Sequence, residues 1–232
     1  MLKELLSLFR SSDAIAKMGQ DFSEMLGVSR ELTIRAGEAF FGEHSGEEDR
    51  QEISRRDIAI NKLERSIRKQ VIAHLTLSSD PHDVPYCLLL MSIVKDVERI
   101  GDYAKNLVEL RPEGGGPVPD DEHGDELREI RRIVENSFAE VNHVFATSDA
   151  RAASALINEG RAVNRRCDAM IGKVTRSGYD AATATSLVLG ARYYKRIGSH
   201  LLNVLSGVVM PLHKLDYYDE DALAVVEDPG DE

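Results

Sequence analysis

Apolar residues recur along this chain at intervals of three and four, the spacing that gathers one face of an α-helix. Ile60, Leu63, Ile67 and Val71 form one such stripe, and Ile93, Val97, Ile100, Ala104 and Leu107 form another. Upstream, Met18, Phe22, Met25, Leu32 and Ile34 predict a first long helix from Asp13 to Phe41, with Gly27 as its one weak point. Gly42 to Glu48 turns the chain, and Ser78-Ser79-Asp80-Pro81 offers a cap and a first-turn proline for a third helix. Helices over 12–41, 47–77 and 81–110 therefore make one unit.

Arg111 to Gly124 concentrates proline and glycine and reads as a linker. Beyond it the same order returns. Leu127, Ile130, Val134, Phe138 and Val141 stripe a segment from Asp125 to Ala146, followed by Asp149 to Arg176 and Asp180 to Met210, with Pro211 closing the last helix. The expected fold is all-α: two tandem antiparallel three-helix bundles over 12–111 and 125–212, joined by a linker at 112–124. An acidic tail over 213–232, loose from Asp216 onward, completes the chain.

The two halves are copies. Ile93 to Leu107 returns as Leu189 to Val204, with Arg99-Ile100-Gly101 reappearing as Arg196-Ile197-Gly198 and Asn106 as Asn203. Glycine inside a helix costs about 1 kcal/mol, so its recurrence predicts a close helix approach at both places. Arg99 and Arg196 stand where they could pin one helix to the next. The acids do not recur. Glu98 and Asp102 become Lys195 and Ser199, and with Asn61 set against Asn164, Asp57 and Glu64 correspond to Gly160 and Cys167.

With 232 residues, 42% apolar and 30% charged, the composition is that of an ordinary globular protein. A net charge of −11 and a pI near 5.2 oppose nucleic-acid binding. The densest basic cluster, Arg55, Arg56, Arg65, Arg68 and Lys69, is interleaved with acids and reads as a solvated helix face. The longest nearly apolar run, Leu201 to Met210, is about half of the ~20 residues a membrane span needs. Met1 to Arg10 lacks the order of a secretory signal, and two cysteines make no disulfide framework, so a cytoplasmic location is expected.

Glu98 and Asp102 stack one turn apart, and two like charges at that spacing invite a cation. Lys95, Arg99 and Lys105 can supply it as surface ion pairs of little energetic value. A hard metal ion can supply it equally, since paired carboxylates offer oxygen ligands. Asp57 and Glu64 strengthen the metal reading, because both sit at the edge of an apolar stripe where a carboxylate needs a partner. Glu140 and His143 have the spacing used in di-iron bundles, but a second such motif is lacking and the match is taken as chance. No nucleophile elbow, Cys-x-x-Cys pair or phosphate-cradling loop is present, and Cys87 and Cys167 read as core residues.

Asp57-Ile-Ala-Ile-Asn-Lys-Leu-Glu64, followed by Lys95-Asp-Val-Glu-Arg-Ile-Gly-Asp-Tyr-Ala-Lys-Asn106, resembles the PhoU family of phosphate-transport regulators. The resemblance spans about residues 12–212, and Glu98-Arg-Ile-Gly-Asp102 is its most specific part. It implies a cytoplasmic homodimer that is a regulator and not an enzyme. Such a protein restrains a phosphate transporter, often of the ABC type, and damps a partner sensor kinase, meeting the membrane only peripherally through its partner.

The family's Glu/Asp-x-x-x-Asp motif holds iron, zinc or other metals. The resemblance places that motif at Glu98 and Asp102, with Asp57 and Glu64 as contributors. Lys195 and Ser199 break it in the second half, so at most one divalent or iron-type ion is expected, in the N-terminal bundle. Alternative readings are metal storage or enzymatic use of the four carboxylates, an accessory subunit of another ion transporter, and a purely structural scaffold. The amphipathic Met1 to Arg10 segment is expected to pack on the bundle or to touch a membrane or transporter.

Overall fold

Aspartates start the helices of the second half. Asp121, Asp149 and Asp180 each accept hydrogen bonds from the first backbone N–H groups of the helix that follows. In the first half, Asp80 caps a single 3-10 turn, Pro81–Asp83, before the regular helix begins at Val84, three residues later than expected. The computed structural model describes residues 13–43, 47–77 and 80–216. Among them are six long helices and no strand: α1 Asp13–Phe41, α2 Glu47–Leu77, α3 Val84–Glu109, α4 Glu122–Thr147, α5 Ala150–Val174 and α6 Ala181–Val209.

The predicted stripes are the core. Ile60, Ile67 and Val71 of α2, all five apolar residues of the α3 stripe, and all five of the α4 stripe are buried. α1 runs straight through Gly27, because Met25, Leu26, Ser29 and Leu32 on either side are fully buried and packing outweighs the local glycine penalty. None of the helices is long and apolar enough to cross a membrane among the described residues.

The first three helices pack on one another, as do the last three, and two seams then join the sets: α1 against α4, and α3 against α6. In the first seam the rings of Phe22 and Phe145 lie 4.8 Å apart. In the second, Asp96 of α3 meets His200 and Asn203 of α6, while Tyr103 stacks on His200 at 5.7 Å and approaches Tyr193 at 6.2 Å. A single apolar core runs through both sets.

The proline- and glycine-rich connection is fastened to this core. Gly115 N–H donates to Leu110 C=O at 2.8 Å, Gly116 N–H to Ala182 C=O at 2.9 Å, and the buried Ser186 hydroxyl to Gly116 C=O at 2.7 Å. Asp216, the first residue of the expected loose tail, has a left-handed φ of 71° and donates its N–H to the Ser206 hydroxyl at 3.2 Å. The Met1 to Arg10 segment and the rest of the acidic tail lie outside the described residues.

Candidate functional site

Asp57 on α2 and Asp102 on α3 are brought together, and a lysine stands between them. Lys105 Nζ is 3.1 Å from Asp57 Oδ2 and 3.9 Å from Asp102 Oδ1. Asn61, one turn beyond Asp57, adds a hydrogen bond from Nδ2 to the same Asp57 oxygen at 3.4 Å. The approach of the two helices is set by Gly101. A Cβ there would stand 3.3 Å from Ile60 Cδ1, tighter than most contacts allow, and 3.6 Å from Leu32 Cδ2, in ordinary contact.

Glu98 is adjacent on α3 but differently engaged. Lys95 Nζ donates to Glu98 Oε2 at 2.6 Å, and Arg99 donates to Asp102 Oδ2 at 3.0 Å. Glu64 is drawn away to its own helix, where Arg68 lies 3.0 Å from its Oε1. Asp57, Glu64 and Glu98 are largely shielded, with side-chain exposures of 15%, 13% and 15%, against 35% for Asp102. The four carboxylates predicted from sequence therefore occupy one face without converging. Among the described residues no three His, Cys, Asp or Glu side chains are grouped to hold a metal ion. In this arrangement the donor set fits organic cations better than a hard metal, which seeks about six or more oxygens.

The same face of the second half has no acid pair. Lys195 Nζ donates to both carboxylate oxygens of Asp168 of α5, at 2.6 and 2.7 Å, and the Ser199 hydroxyl accepts from Asn164 at 3.1 Å. Beside them a cleft of about 210 Å³ opens between α4, α5 and α6, lined by Gly160, Val163, Asn164, Gly198 and Leu201. Gly198 is not the close contact its repeat position predicts, since its nearest neighbours would be 3.8 Å from an added Cβ. Arg99 pairs within α3 and Arg196 is exposed, so Arg99 does not pin a neighbouring helix and the pinning expected of both is not seen.

The basic cluster on α2 is salt-bridged as the interleaved acids predict. Arg55 pairs with Glu52 at 3.0 Å, Arg56 with Glu31 at 3.1 Å and with Glu52, and Arg68 with Glu64. Glu140 and His143 are both exposed on α4. Sequence reasoning missed two features. One is Lys105 as the bridge between helices. The other is Asp96, a buried carboxylate three residues after Ile93 and four before Ile100, whose place within an apolar stripe is itself the signal.

Burial pushes the Cys87 thiol up to about 11 and the Cys167 thiol to about 12, the values of inert core cysteines. Burial also raises the Glu135 carboxyl against the opposing pull of Arg131, at the place where α1, α4 and α6 meet around Gly37.

Residues 22–110, the first three helices, match the family model of the PhoU domain. An uncharacterized protein of Deinococcus radiodurans is 27% identical over 207 residues, covering 84% of this chain and 87% of that relative. The crystal structure of PhoU from Pseudomonas aeruginosa superposes with a TM-score of 0.74 at 22% identity, covering 86% of this chain and 97% of that one. The phosphate transport system regulatory protein PhoU from Streptococcus pneumoniae superposes with a TM-score of 0.69 at 16% identity, covering 84% and 92%. Residues 22–110 thus carry a match to the PhoU domain, and along most of its length the chain has the fold of the two PhoU structures.

Proposed function

We propose that this chain is a cytoplasmic regulator of phosphate uptake that acts by binding a phosphate transporter, its sensor kinase, or both. The observation that carries the reading is the PhoU-domain match over residues 22–110, set within a fold like that of a phosphate transport regulatory protein. Regulation by contact, not catalysis, is supported by the chemistry of the described residues: the carboxylates of the candidate site are neutralised by paired cations, and both thiols are held protonated. The acidic net charge of −11 favours a protein partner over nucleic acid. We further propose that it acts as a homodimer, which light scattering of the purified chain would test.

Deleting the gene and following labelled phosphate uptake tests the regulatory reading, together with recovery of partners on the full chain as bait. Altered uptake with a transporter subunit or kinase recovered supports it. Unchanged uptake with neither recovered overturns it.

A further inference from the structure

We infer that the ammonium group of Lys105 occupies the cation position of the carboxylate site, so that this chain closes the site without a metal ion. The inference goes beyond the regulatory reading and stands whether or not the chain controls phosphate uptake.

Three acids belong to this site: the largely shielded Asp57 of α2 and Glu98 of α3, and the more open Asp102 of α3. Three fixed cations of α3 meet them. Lys105 lies between Asp57 and Asp102 at 3.1 and 3.9 Å, Arg99 takes the other Asp102 oxygen at 3.0 Å, and Lys95 takes Glu98 Oε2 at 2.6 Å. The site is neutral before any ion arrives, and a divalent cation would find its attraction already cancelled. Each of the three carboxylates already has a cation against it, and no third His, Cys, Asp or Glu among the described residues joins a group of them, far short of the shell a hard cation collects. An ammonium is a compact point charge with three donors, the organic group nearest to a metal ion in this role.

The second half carries an analogous device. There Lys195 of α6 reaches back to Asp168 of α5, as Lys105 of α3 reaches back to Asp57 of α2. In each repeat a lysine from the third helix ties down an aspartate of the second. The first repeat keeps two further carboxylates around its lysine, and the second replaces them with Lys195 and Ser199. Loss of the ammonium should therefore expose a vacant anionic site in the first half only.

Elemental analysis after equilibrium dialysis against Zn²⁺, Mn²⁺ and Fe²⁺, on the full chain and on Lys105→Met and Lys95→Met/Lys105→Met variants, tests this. Lys105→Arg serves as a charge-keeping control, and circular dichroism establishes that each protein is folded. Wild type and Lys105→Arg are expected to carry no metal above background, while removal of the lysines creates a site for about one ion per chain. Adding Glu98→Ala and Asp102→Ala to the metal-binding variant is expected to abolish it. Stoichiometric metal in the wild type, lost on Glu98→Ala/Asp102→Ala, overturns the inference without recourse to the lysine variants. Folded lysine variants that gain no metal overturn it equally.

Discussion

Asp96 on α3 and His200 on α6 are joined across the seam between the two halves by a 2.8 Å hydrogen bond from His200 Nδ1 to Asp96 Oδ1. Asn203 donates to the same oxygen at 2.7 Å, so one nearly buried carboxylate serves two donors on the opposing helix. Asp96→Ala strands both donors at once and is expected to cost about 3 kcal/mol. His200→Ala leaves Asn203 in place and should cost about 1–2 kcal/mol. Because both changes break one network, the double variant should lose less than their sum, which urea denaturation of the four proteins will show.

Gly101 and Gly198 occupy the same place in the two repeats but should respond oppositely to alanine. At Gly101 the new methyl meets Ile60 Cδ1 at 3.3 Å between packed helices, and a loss of about 1 kcal/mol or more is expected. At Gly198 the nearest atoms are 3.8 Å away, and the helix gains up to about 1 kcal/mol of propensity. Melting temperatures moving in the same direction would contradict this reading of the two sites.

Two aspartates should give opposite pH dependences. The Asp121 carboxyl is held below its usual range, chiefly by the Tyr179 hydroxyl and also by the N–H groups of Gly124 and His123. It ionises more readily folded than unfolded, so its contribution is present above the ordinary carboxyl pKa of about 4 and is lost as pH falls through the depressed value. Asp121→Ala is expected to lose about 1 kcal/mol of capping at neutral pH and less in acid.

Asp216 behaves in reverse. Burial, and secondly the charge of Asp96, raise its carboxyl, with His200 opposing. Its ionised form is the one the fold disfavours, so stability declines as pH rises through the raised value. Asparagine keeps the left-handed backbone accessible. Asp216→Asn should therefore stabilise the chain at neutral pH and leave it unchanged in strong acid, as denaturation at the two pH values would reveal.

Cys87 and Cys167, raised to about 11 and about 12 by burial, should resist thiol reagents near neutral pH in the native chain and react at once in denaturant. Prompt labelling of either without unfolding would show that it is not the sealed core residue described.

The helices were legible in the sequence because an amphipathic stripe is a one-dimensional record of which side is buried. Ile93, Val97, Ile100, Ala104 and Leu107 could be placed in the core from spacing alone, and they are there. The site was only half legible. Spacing put Glu98 and Asp102 on one face and set lysines and arginines around them, but it could not separate a lysine that stays on its own helix from one that crosses. Lys95 stays, and Lys105 crosses to Asp57. Glu64 was grouped with the others by spacing, yet Arg68, four residues on, captures it first. Gly198 was read from its partner in the repeat, although contact depends on the facing residue. Gly101 faces Ile60 and Asp57, whereas in the second half the close approach has moved to Gly160, where a Cβ would meet Leu202 Cδ2 at 2.5 Å, and Gly198 borders a cleft instead.

The hydrogen bonds that fasten Gly115 and Gly116 to α3 and α6 bear on how such a molecule can carry a signal. A segment that looks like a swivel is stitched down, and the halves beside it share one interior. The two halves are therefore built as one body with a common core, not as a pair of jaws. Whatever message this chain delivers would be written in which of its faces are occupied, and at what concentration, more than in any change of its shape.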